Sequence, residues 1–238
     1  MKDEHKTLGI VGGMGPMATV FYMELVTKMT KAKEDSEHMD MIVISRPAIP
    51  DRTAFLLKKS DRDPLPEING VCERLVASGA EVIAIPCVTA HCFREALGKG
   101  SDARILNAVE EVCLELKAKG ISRAGIMATD GTLGFGLFQD AFVKNGIEPV
   151  IPEPEIQKLI MSLIYDDIKA GNKPDAEKYR KVRDFFDSKG AQKIVLGCTE
   201  LSLLGENGID TEGTVDVMEA LARAAIRECG YEVREEYL

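Results

Sequence analysis

LGIVGGMG at residues 8–15 is an apolar run that ends in a glycine-containing turn, and residues 19–29 follow it with apolar positions at helical spacing. Short β-rich runs and helical patterns continue to alternate along the chain, with further strands predicted over 81–85 and 193–196. Strands that alternate with helices in this way form parallel sheets covered by helices. The sequence therefore predicts an α/β fold.

A second copy of this pattern begins halfway along the chain. AGIMATDG at 124–131 aligns with the opening stretch, 116 positions later. Further on, ASGAEVIAIPC at 77–87 aligns with SKGAQKIVLGC at 188–198, which places Cys87 and Cys198 at equivalent positions. Two matched glycine turns and two matched cysteines favour an internal duplication over a chance resemblance between α/β segments.

The duplication predicts two pseudo-symmetric α/β lobes, each with a mainly parallel sheet flanked by helices. We expect residues 1–103 and 209–238 to form the N-terminal lobe, which carries Cys87, and residues 104–208 to form the C-terminal lobe, which carries Cys198. Ligands bind beyond the carboxyl ends of the strands in parallel sheets. Since both cysteines follow predicted strands, facing lobes would place them on opposite walls of one cleft.

Composition excludes several classes of protein. The 238 residues are 45% hydrophobic and 29% charged, which is the balance of a globular protein. The formal net charge of −9 argues against nucleic acid as a main partner. No stretch approaches the roughly 20 apolar residues of a membrane span, and the charged start over 1–6 does not resemble a signal peptide. We expect a cytoplasmic protein that binds neither membrane nor nucleic acid.

The six cysteines are predicted to be free thiols, because neither an export signal nor a disulfide framework is evident. The sequence has no paired Cys-x-x-Cys motif, so no metal site is expected. Cys87, His91 and Cys92 come nearest to a ligand cluster, but no second cluster accompanies them. His91 is predicted on the same helical face as Cys87. There it either fills a junction between the lobes, which is the favoured interpretation, or tunes the thiol.

Two thiols on opposite sides of a cleft suit one kind of reaction. Inverting a carbon that bears hydrogen requires one proton to leave one face and another to arrive at the opposite face. A thiol can perform both steps, since its ordinary pKa of about 8.5 lies near neutrality. Cys87 and Cys198 both lie at predicted strand-to-helix junctions, where a helix start favours the thiolate. For either cysteine alone we favour a buried core residue, but the matched pair favours racemisation.

Four stretches of sequence support this chemistry: GGMGPMAT at 12–19, IPDRT at 49–53, PCVTAH at 86–91 and GCTE at 197–200. Together they resemble the aspartate/glutamate racemase family, and the resemblance extends over residues 8–228. The PDRT segment followed by the GCTE segment is more specific than either alone. The resemblance implies two pseudo-symmetric lobes, a two-cysteine mechanism that needs no pyridoxal phosphate or other cofactor, an amino-acid substrate, and a homodimer.

The resemblance also implies roles for individual residues. Cys87 and Cys198 match the pair that exchanges the proton. Arg52 matches an arginine that receives a substrate carboxylate, which suits the two-pronged guanidinium group. Lys169 matches a lysine near the same carboxylate. From the residue pattern alone, Arg52 would be interpreted as a surface side chain and Lys169 as a solvated charge on a helix.

Further substrate contacts follow from the same resemblance. Thr89, Thr199 and the loop amides near Met14 would hold the α-carboxylate, and Glu200 would pair with the substrate ammonium. Thr132 is a further candidate, from the corresponding loop of the C-terminal lobe. The predicted substrate-binding residues are Met14, Gly15, Arg52, Val88, Thr89, Ala90, Thr132, Lys169, Thr199 and Glu200.

One position of the site departs from the family pattern. Val88 stands where the family usually has asparagine, and a valine side chain neither donates nor accepts a hydrogen bond. Proton exchange at a carbon centre is therefore better founded than aspartate or glutamate as the substrate. Arg46 also stands where asparagine is common, and we interpret it as an exposed side chain rather than a second anion contact.

Two alternatives remain open at this stage. A thiol-dependent decarboxylase, cis–trans isomerase or hydantoin racemase would keep the fold and change the reaction, although such a decarboxylase needs only one of the two cysteines. A non-catalytic amino-acid-binding homologue would keep the cleft without turnover, and Val88 supports that interpretation. Nucleotide binding is not favoured, because GGMGP lacks both the G-x-G-x-x-G spacing and the lysine of a P-loop.

Overall fold

The N-terminal half of the chain builds a four-stranded parallel sheet. The structure, a computed structural model, describes residues 5–99 and 102–238, so most of the charged start over 1–6 lies outside the described residues. The strands are β1 Leu8–Gly12, β2 Met41–Ser45, β3 Val82–Ala84 and β4 Arg104–Ile105, in the order β2-β1-β3-β4. The helices are α1 Pro16–Met29, α2 Arg52–Leu56 and α3 Leu65–Ala77, with 3₁₀ helices at Asp35–Glu37 and Val88–Ala96.

The second half of the chain builds another parallel sheet. Its strands are β5 Arg123–Met127, β6 Glu148–Val150, β7 Lys193–Leu196 and β8 Thr214–Asp216, in the order β6-β5-β7-β8. The helices are α4 Ala108–Ala118, α5 Asp130–Phe135, α6 Leu137–Lys144, α7 Pro154–Ser162, the π-helical segment Leu163–Ile168, α8 Ala176–Ser188 and α9 Val217–Glu228. Short 3₁₀ helices lie at Leu201–Leu203, Gly205–Asn207 and Glu235–Tyr237.

The two sheets confirm the predicted α/β fold with two related lobes. In each sheet the first strand lies between the second and the third, and the fourth pairs with the third. All six strand pairs are parallel. The carboxyl ends of β1 and β3 therefore share one edge of the first sheet, and those of β5 and β7 share one edge of the second.

The strand pairing differs from the predicted division of the chain at two short strands. β4 begins just beyond the predicted end of the first segment, and its Ile105 pairs with Ile83 of β3. β8 lies within the segment 209–238 that was assigned to the N-terminal lobe, yet Thr214 pairs with Ile194 of β7. Strands of two and three residues carry too little pattern for periodicity to assign them to a sheet.

The helices are short and amphipathic. α1, the longest α-helix among the described residues, has 14 residues. No helix in the described part of the chain is both long enough and apolar enough to pass through a bilayer. α9 shows the usual pattern, because Met218, Leu221 and Ala225 recur at intervals of three and four residues on its buried face.

One apolar core joins the two lobes. α9 packs against both α1 and α4, and a single buried cluster contains Ile10 of β1, Ile126 of β5 and Leu221 of α9. Tyr22 of α1 is fully buried, and its hydroxyl donates to the Leu221 carbonyl at 3.3 Å. The sheets are therefore held together by a layer of helices that both lobes share.

Asp216 links the start of α9 to the chain that follows β7. Its Oδ1 accepts hydrogen bonds from the Met218 amide at 2.7 Å and from the Ser202 hydroxyl at 2.6 Å. Burial is the main reason that the pKa of Asp216 rises from 3.8 to about 7. The folded protein therefore keeps a proton on this carboxyl group well above the pH at which an exposed aspartate releases it.

We predict that Asp216→Asn flattens the dependence of stability on pH. Between about pH 4 and pH 7 the folded wild type binds a proton that the unfolded chain has released, so its free energy of unfolding falls as the pH rises through this window. Asparagine keeps an acceptor but does not titrate. Urea denaturation at several pH values measures the slope, and the same slope in both proteins would show that Asp216 is ionised when folded.

Candidate active site

The loop after β1 folds back on the start of α1. Gly13 has a φ of +93°, and a Cβ there would lie 2.4 Å from the backbone of Arg46, so this close approach requires glycine. The Thr19 hydroxyl accepts from the Gly13 amide and donates to the Gly15 carbonyl, both at 2.9 Å. These contacts fix the loop that contains Met14.

Arg52 is the first residue of α2, and its side chain points inward. Asp51 caps the helix by accepting from the Ala54 amide at 2.7 Å, which explains why aspartate precedes the arginine. Arg52 is only 7% exposed. The interpretation from the residue pattern alone, a surface arginine, is therefore wrong, because the cap turns the first residue of this short helix toward the space between the lobes.

Three of the five N–H groups of Arg52 are used by the protein itself. Nη1 donates to the carbonyls of Ile49 at 3.3 Å and Pro50 at 3.0 Å, and Nη2 donates to that of Met14 at 3.3 Å. The buried Nε has no hydrogen-bond partner within the protein, so one edge of the guanidinium stays open. Burial lowers the pKa of Arg52, but Cys87, Asp51 and Glu200 together outweigh this effect and raise it.

Cys87 lies beyond the end of β3, at the start of a helix. It directly precedes the 3₁₀ helix Val88–Ala96, and its carbonyl accepts from the Ala90 amide at 3.1 Å. The predicted strand-to-helix junction is present, although the helix is 3₁₀ rather than α. Cys87 is 5% exposed and lines the space between the lobes.

Cys198 lies at the matching position after β7 in the second lobe. Its thiol donates a hydrogen bond to Glu200 Oε2 at 2.9 Å. Burial raises the pKa of Cys198 well above its ordinary value, the charge of Glu200 raises it further, and Lys169 opposes both effects in part. Cys198 is therefore a thiol rather than a thiolate at neutral pH.

Lys169 and Glu200 place opposite charges beside Cys198. The distance from Lys169 Nζ to Glu200 Oε1 is 3.7 Å, and the lysine side chain is 23% exposed, so a solvated helix charge is the wrong interpretation. Burial lowers the pKa of Lys169, but Glu200 and its other neighbours outweigh that effect and raise it. Glu200 Oε1 is buried and has no hydrogen-bond partner within the protein.

Four buried threonine hydroxyls connect the lobes beside the cysteines. Thr53 and Thr89 come from the first lobe, and Thr129 and Thr132 come from the end of β5 and the start of α5. Thr129 Oγ1 lies 3.3 Å from the hydroxyl of Thr53 and 3.2 Å from that of Thr89. Thr132 Oγ1 lies 3.0 Å from that of Thr89. The four hydroxyls form a polar cluster to which both lobes contribute.

Both cysteines line one small cavity between the lobes. Its empty volume, including the part open to solvent, is about 250 Å³, so the cavity is narrow. The lining residues are Met14, Asp51, Arg52, Thr53, Cys87, Val88, Thr89, Thr129, Tyr165, Lys169, Cys198, Thr199 and Glu200.

Nine of the twelve predicted site residues line this cavity, and Gly15, Ala90 and Thr132 do not. Gly15 lies just behind it, since a Cβ there would approach Glu200 Oε1 to 3.2 Å. Thr132 is one hydrogen bond away, through Thr89. Ala90 is fully buried in the 3₁₀ helix. All three therefore support the wall of the cavity rather than face its interior.

Four lining residues were missed by sequence reasoning: Asp51, Thr53, Thr129 and Tyr165. The first two stand inside the IPDRT stretch, and Thr129 aligns with Gly13 in the internal repeat. The sequence therefore held a signal for these three. Tyr165 had none, because its position depends on the π-helical turn that carries it.

His91 and Arg46 lie outside the cavity. His91 is buried with Nε2 3.2 Å from the Ile85 carbonyl, and burial lowers its pKa to about 4, so the ring is neutral. Arg46 is exposed, as predicted, and its Nε pairs with Glu67 at 2.9 Å. Within residues 5–99 and 102–238, no group of three or more histidine, cysteine, aspartate or glutamate side chains is arranged to hold a metal ion.

The whole chain is similar to known racemases in sequence. The family model described as Asp/Glu/Hydantoin racemase matches residues 11–225. The broad specificity amino-acid racemase RacX of Bacillus subtilis is 25% identical over 226 residues, which cover 92% of this chain and 96% of that protein. These matches extend over both lobes and include both cysteines.

Solved structures share the complete two-lobed fold. Picrophilus torridus aspartate racemase has a TM-score of 0.80 and 27% identity, covering 98% of this chain and 97% of its own. An aspartate racemase homologue from Pyrococcus horikoshii OT3 has a TM-score of 0.75 and 22% identity, covering 94% and 99%. A Francisella tularensis glutamate racemase in complex with D-glutamate has a TM-score of 0.67 and 14% identity, covering 93% and 80%.

The last two likenesses show the fold alone, whereas the family match also bears on the reaction. It covers nearly all of both sheets, including the positions of Cys87 and Cys198. It confirms the resemblance that the motifs indicated, and racemases are isomerases. The chain belongs to the Asp/Glu/hydantoin racemase family.

Proposed function

We propose that the protein racemises an acidic amino acid, aspartate or glutamate, without a cofactor and with Cys87 and Cys198 as the two proton-exchanging groups. The observation that carries this proposal is that two cysteines from equivalent strand ends line the same small cavity. One thiolate removes the α-proton, and the electron pair left on Cα delocalises into the carboxylate. The other thiol then delivers its own proton to the opposite face. The two sulfurs thereby exchange protonation states.

The two cysteines begin the reaction in different roles. Cys198 holds its proton, because burial and the nearby Glu200 carboxylate raise its pKa, so it acts first as the acid. Cys87 is then the group that removes the α-proton. After one turnover the roles are reversed, and exchange with solvent or the reverse reaction restores the starting state.

The unpaired polar groups of the cavity match the charges of an amino acid. The open edge of Arg52 offers N–H donors to one carboxylate, and Lys169 adds a second cation. Glu200 Oε1 offers an acceptor to the substrate ammonium. The α-carboxylate, where negative charge develops as the α-proton leaves, lies against Thr89, Thr199 and the loop near Met14, which line the same cavity.

Val88 removes one polar contact from this arrangement without leaving the cavity apolar. The valine is 3% exposed and lines the cavity. The hydroxyls of Thr53, Thr89 and Thr129 line the same space and supply the donors and acceptors that valine lacks. A non-catalytic homologue, the alternative that Val88 favours, would have no use for two thiols in such a site.

Deuterium wash-in tests the proposed function. The protein is incubated in heavy water with L- or D-aspartate or glutamate, with a chelator present and no added pyridoxal phosphate. We expect the α-proton NMR signal to decay while the opposite enantiomer forms, for at least one of the two amino acids. Binding without exchange would favour the non-catalytic alternative, and loss of a carboxyl group would favour the decarboxylase.

We also propose a homodimer in the cytoplasm, as the family resemblance implies. Light scattering coupled to gel filtration measures the assembly. It should give twice the 26.0 kDa mass of one chain, and a mass of one chain at working concentration would contradict the dimer. Fractionation of cells that express the natural protein measures its location.

Arg52→Ala should mainly weaken the binding of acidic substrates. A hydrogen bond to a charged group is worth about 1.5–3 kcal/mol, so KM should rise roughly 10- to 100-fold. Arg52→Lys keeps the positive charge but loses the two-pronged guanidinium group. Its KM should therefore lie between those of the wild type and Arg52→Ala. Steady-state kinetics with both aspartate enantiomers measures the effect, and circular dichroism checks that the fold is kept. An unchanged KM would remove Arg52 from the site.

A further inference from the structure

A second and larger groove adjoins the active-site cavity. Its empty volume, including the part open to solvent, is about 740 Å³. Thr129 lines the cavity, and Asp130, the next residue, lines the groove. Tyr165 lines both spaces, and it is the one described residue to do so. The two spaces therefore meet at the Tyr165 side chain.

The backbone under Tyr165 is firmly held. The segment Leu163–Ile168 is π-helical, and the Lys169 amide donates to the Ile164 carbonyl at 2.9 Å, five residues earlier. Leu163 and Ile164 are fully buried in the core of the second lobe. Turns of this kind are frequent at functional sites. Any opening between the cavity and the groove is thus left to the tyrosine side chain.

The Tyr165 ring is neutral and closes over a charge of the active site. Its centroid lies 4.4 Å from Lys169 Nζ, which is within the range of a cation–π contact. Burial raises the pKa of the Tyr165 hydroxyl, so it stays protonated at neutral pH. A substrate side chain that extends from the cavity toward Tyr165 would end at this ring if short, and would have to pass the ring into the groove if long.

The groove carries acceptors and negative charge. Asp130 and Asp166 line it, and the buried Oε1 of Gln157 has no hydrogen-bond partner within the protein. Gln157 Nε2 donates to Asp130 at 2.7 Å, which fixes the amide with its oxygen unpaired. The lysine on the groove, Lys158, is neutralised by Glu155 at 2.8 Å.

We propose that Tyr165 sets the length of side chain that the site accepts, and that the groove beyond it is a subsite for long side chains with a cationic end, such as lysine. The proposal rests on the proposed racemisation at the two cysteines. The α-amino and α-carboxylate groups stay in the cavity, where the thiols act. The terminal ammonium lies among the acceptors of Asp130, Asp166 and Gln157, which suit a cation and repel a second carboxylate.

The test compares kcat/KM for lysine, norleucine and aspartate in the wild type, Tyr165→Ala and Tyr165→Phe. Removing the ring should raise the value for lysine, relative to that for aspartate, at least about tenfold, which is the lower end of what one small group in a hydrophobic pocket contributes to discrimination. Tyr165→Phe keeps the ring and should keep the wild-type ratio. Norleucine, which has the same four side-chain carbons but lacks the terminal ammonium, should gain less than lysine.

Each part of the proposal has its own contradicting result. The same lysine-to-aspartate ratio in Tyr165→Ala and the wild type would overturn the role of the ring. An equal gain for norleucine and lysine would overturn the cationic subsite. Asp166→Asn in the Tyr165→Ala background should reduce the gain for lysine and leave aspartate unchanged, and no reduction would remove Asp166 from the subsite.

Binding separates this proposal from the proposed function. Isothermal titration calorimetry gives the Kd of lysine without any turnover. We expect a lower Kd for lysine in Tyr165→Ala than in the wild type, whether or not either protein exchanges the α-proton of aspartate. If neither protein exchanges that proton, the result contradicts the proposed racemisation and not the subsite. An equal Kd for lysine in the two proteins, with the α-proton of aspartate still exchanging, would contradict the subsite and leave the proposed racemisation in place.

Discussion

Cys87→Ser and Cys198→Ser should each abolish racemisation while leaving the fold intact. Each cysteine faces the shared cavity, and inversion needs both, one to take a proton and one to give it. A positioned acid or base contributes about 10²- to 10⁴-fold to a rate, so kcat/KM should fall by at least that much in each variant. Chiral chromatography of aspartate and glutamate after incubation measures the loss.

The single variants should also differ from each other. A protein that keeps one thiol can still remove and return a proton on one face, so any remaining solvent exchange should occur without inversion. The solvent exchange that remains in Cys87→Ser should act on one enantiomer, and the exchange that remains in Cys198→Ser should act on the other. Cys92→Ser is the matched control, because Cys92 lies outside the cavity and burial raises its pKa to about 12. Near-normal turnover in Cys87→Ser or Cys198→Ser would end the two-base assignment.

Glu200→Gln should make Cys198 more reactive and the racemase less active. The carboxylate accepts from the Cys198 thiol at 2.9 Å, and its charge is the second cause, after burial, of the raised pKa of Cys198. A neutral amide keeps an acceptor but removes the charge, so the pKa of Cys198 should fall. The same change weakens the pairing with the substrate ammonium, and kcat/KM should fall roughly tenfold or more.

Alkylation measures the first effect directly. The rate at which iodoacetamide labels Cys198, followed by mass spectrometry across a pH series, should reach its midpoint at a lower pH in Glu200→Gln. Glu24→Gln, an exposed glutamate paired with Lys28 on α1, is the control and should leave that midpoint in place. The same midpoint in Glu200→Gln and the wild type would show that the carboxylate does not hold the Cys198 proton.

The fold could be predicted because the central strand that begins each sheet is long enough to show its pattern. β1 is a fully buried run of five residues that ends at a glycine turn. β5, its counterpart in the repeat, shows a similar apolar pattern over most of its five residues. β4, β6 and β8 were not predicted, because two or three residues outside a longer apolar run carry no periodicity. Their place is set by the strand beside them, which the local sequence does not encode.

The site was predictable where the repeat or a motif marked it. Cys87 and Cys198 stood out because a duplication placed them at equivalent strand ends, which line one cavity because the two lobes face each other. Lys169 and Tyr165 are different, because the segment before Lys169 reads as an ordinary helix in sequence. Its π turn forms in the packed protein, so the direction of both side chains depends on tertiary contacts.

The apolar core that runs from one lobe through α9 into the other limits how the cavity can open. Two domains on a linker rotate apart freely, but here such a rotation would separate Ile10 and Ile126 from Leu221 and expose their surfaces to water, at about 25 cal/mol for each Å². Substrate entry must therefore rely on side chains at the rim, with the lobes moving as one body. Neither half of the duplication should persist as a folded monomer when expressed alone.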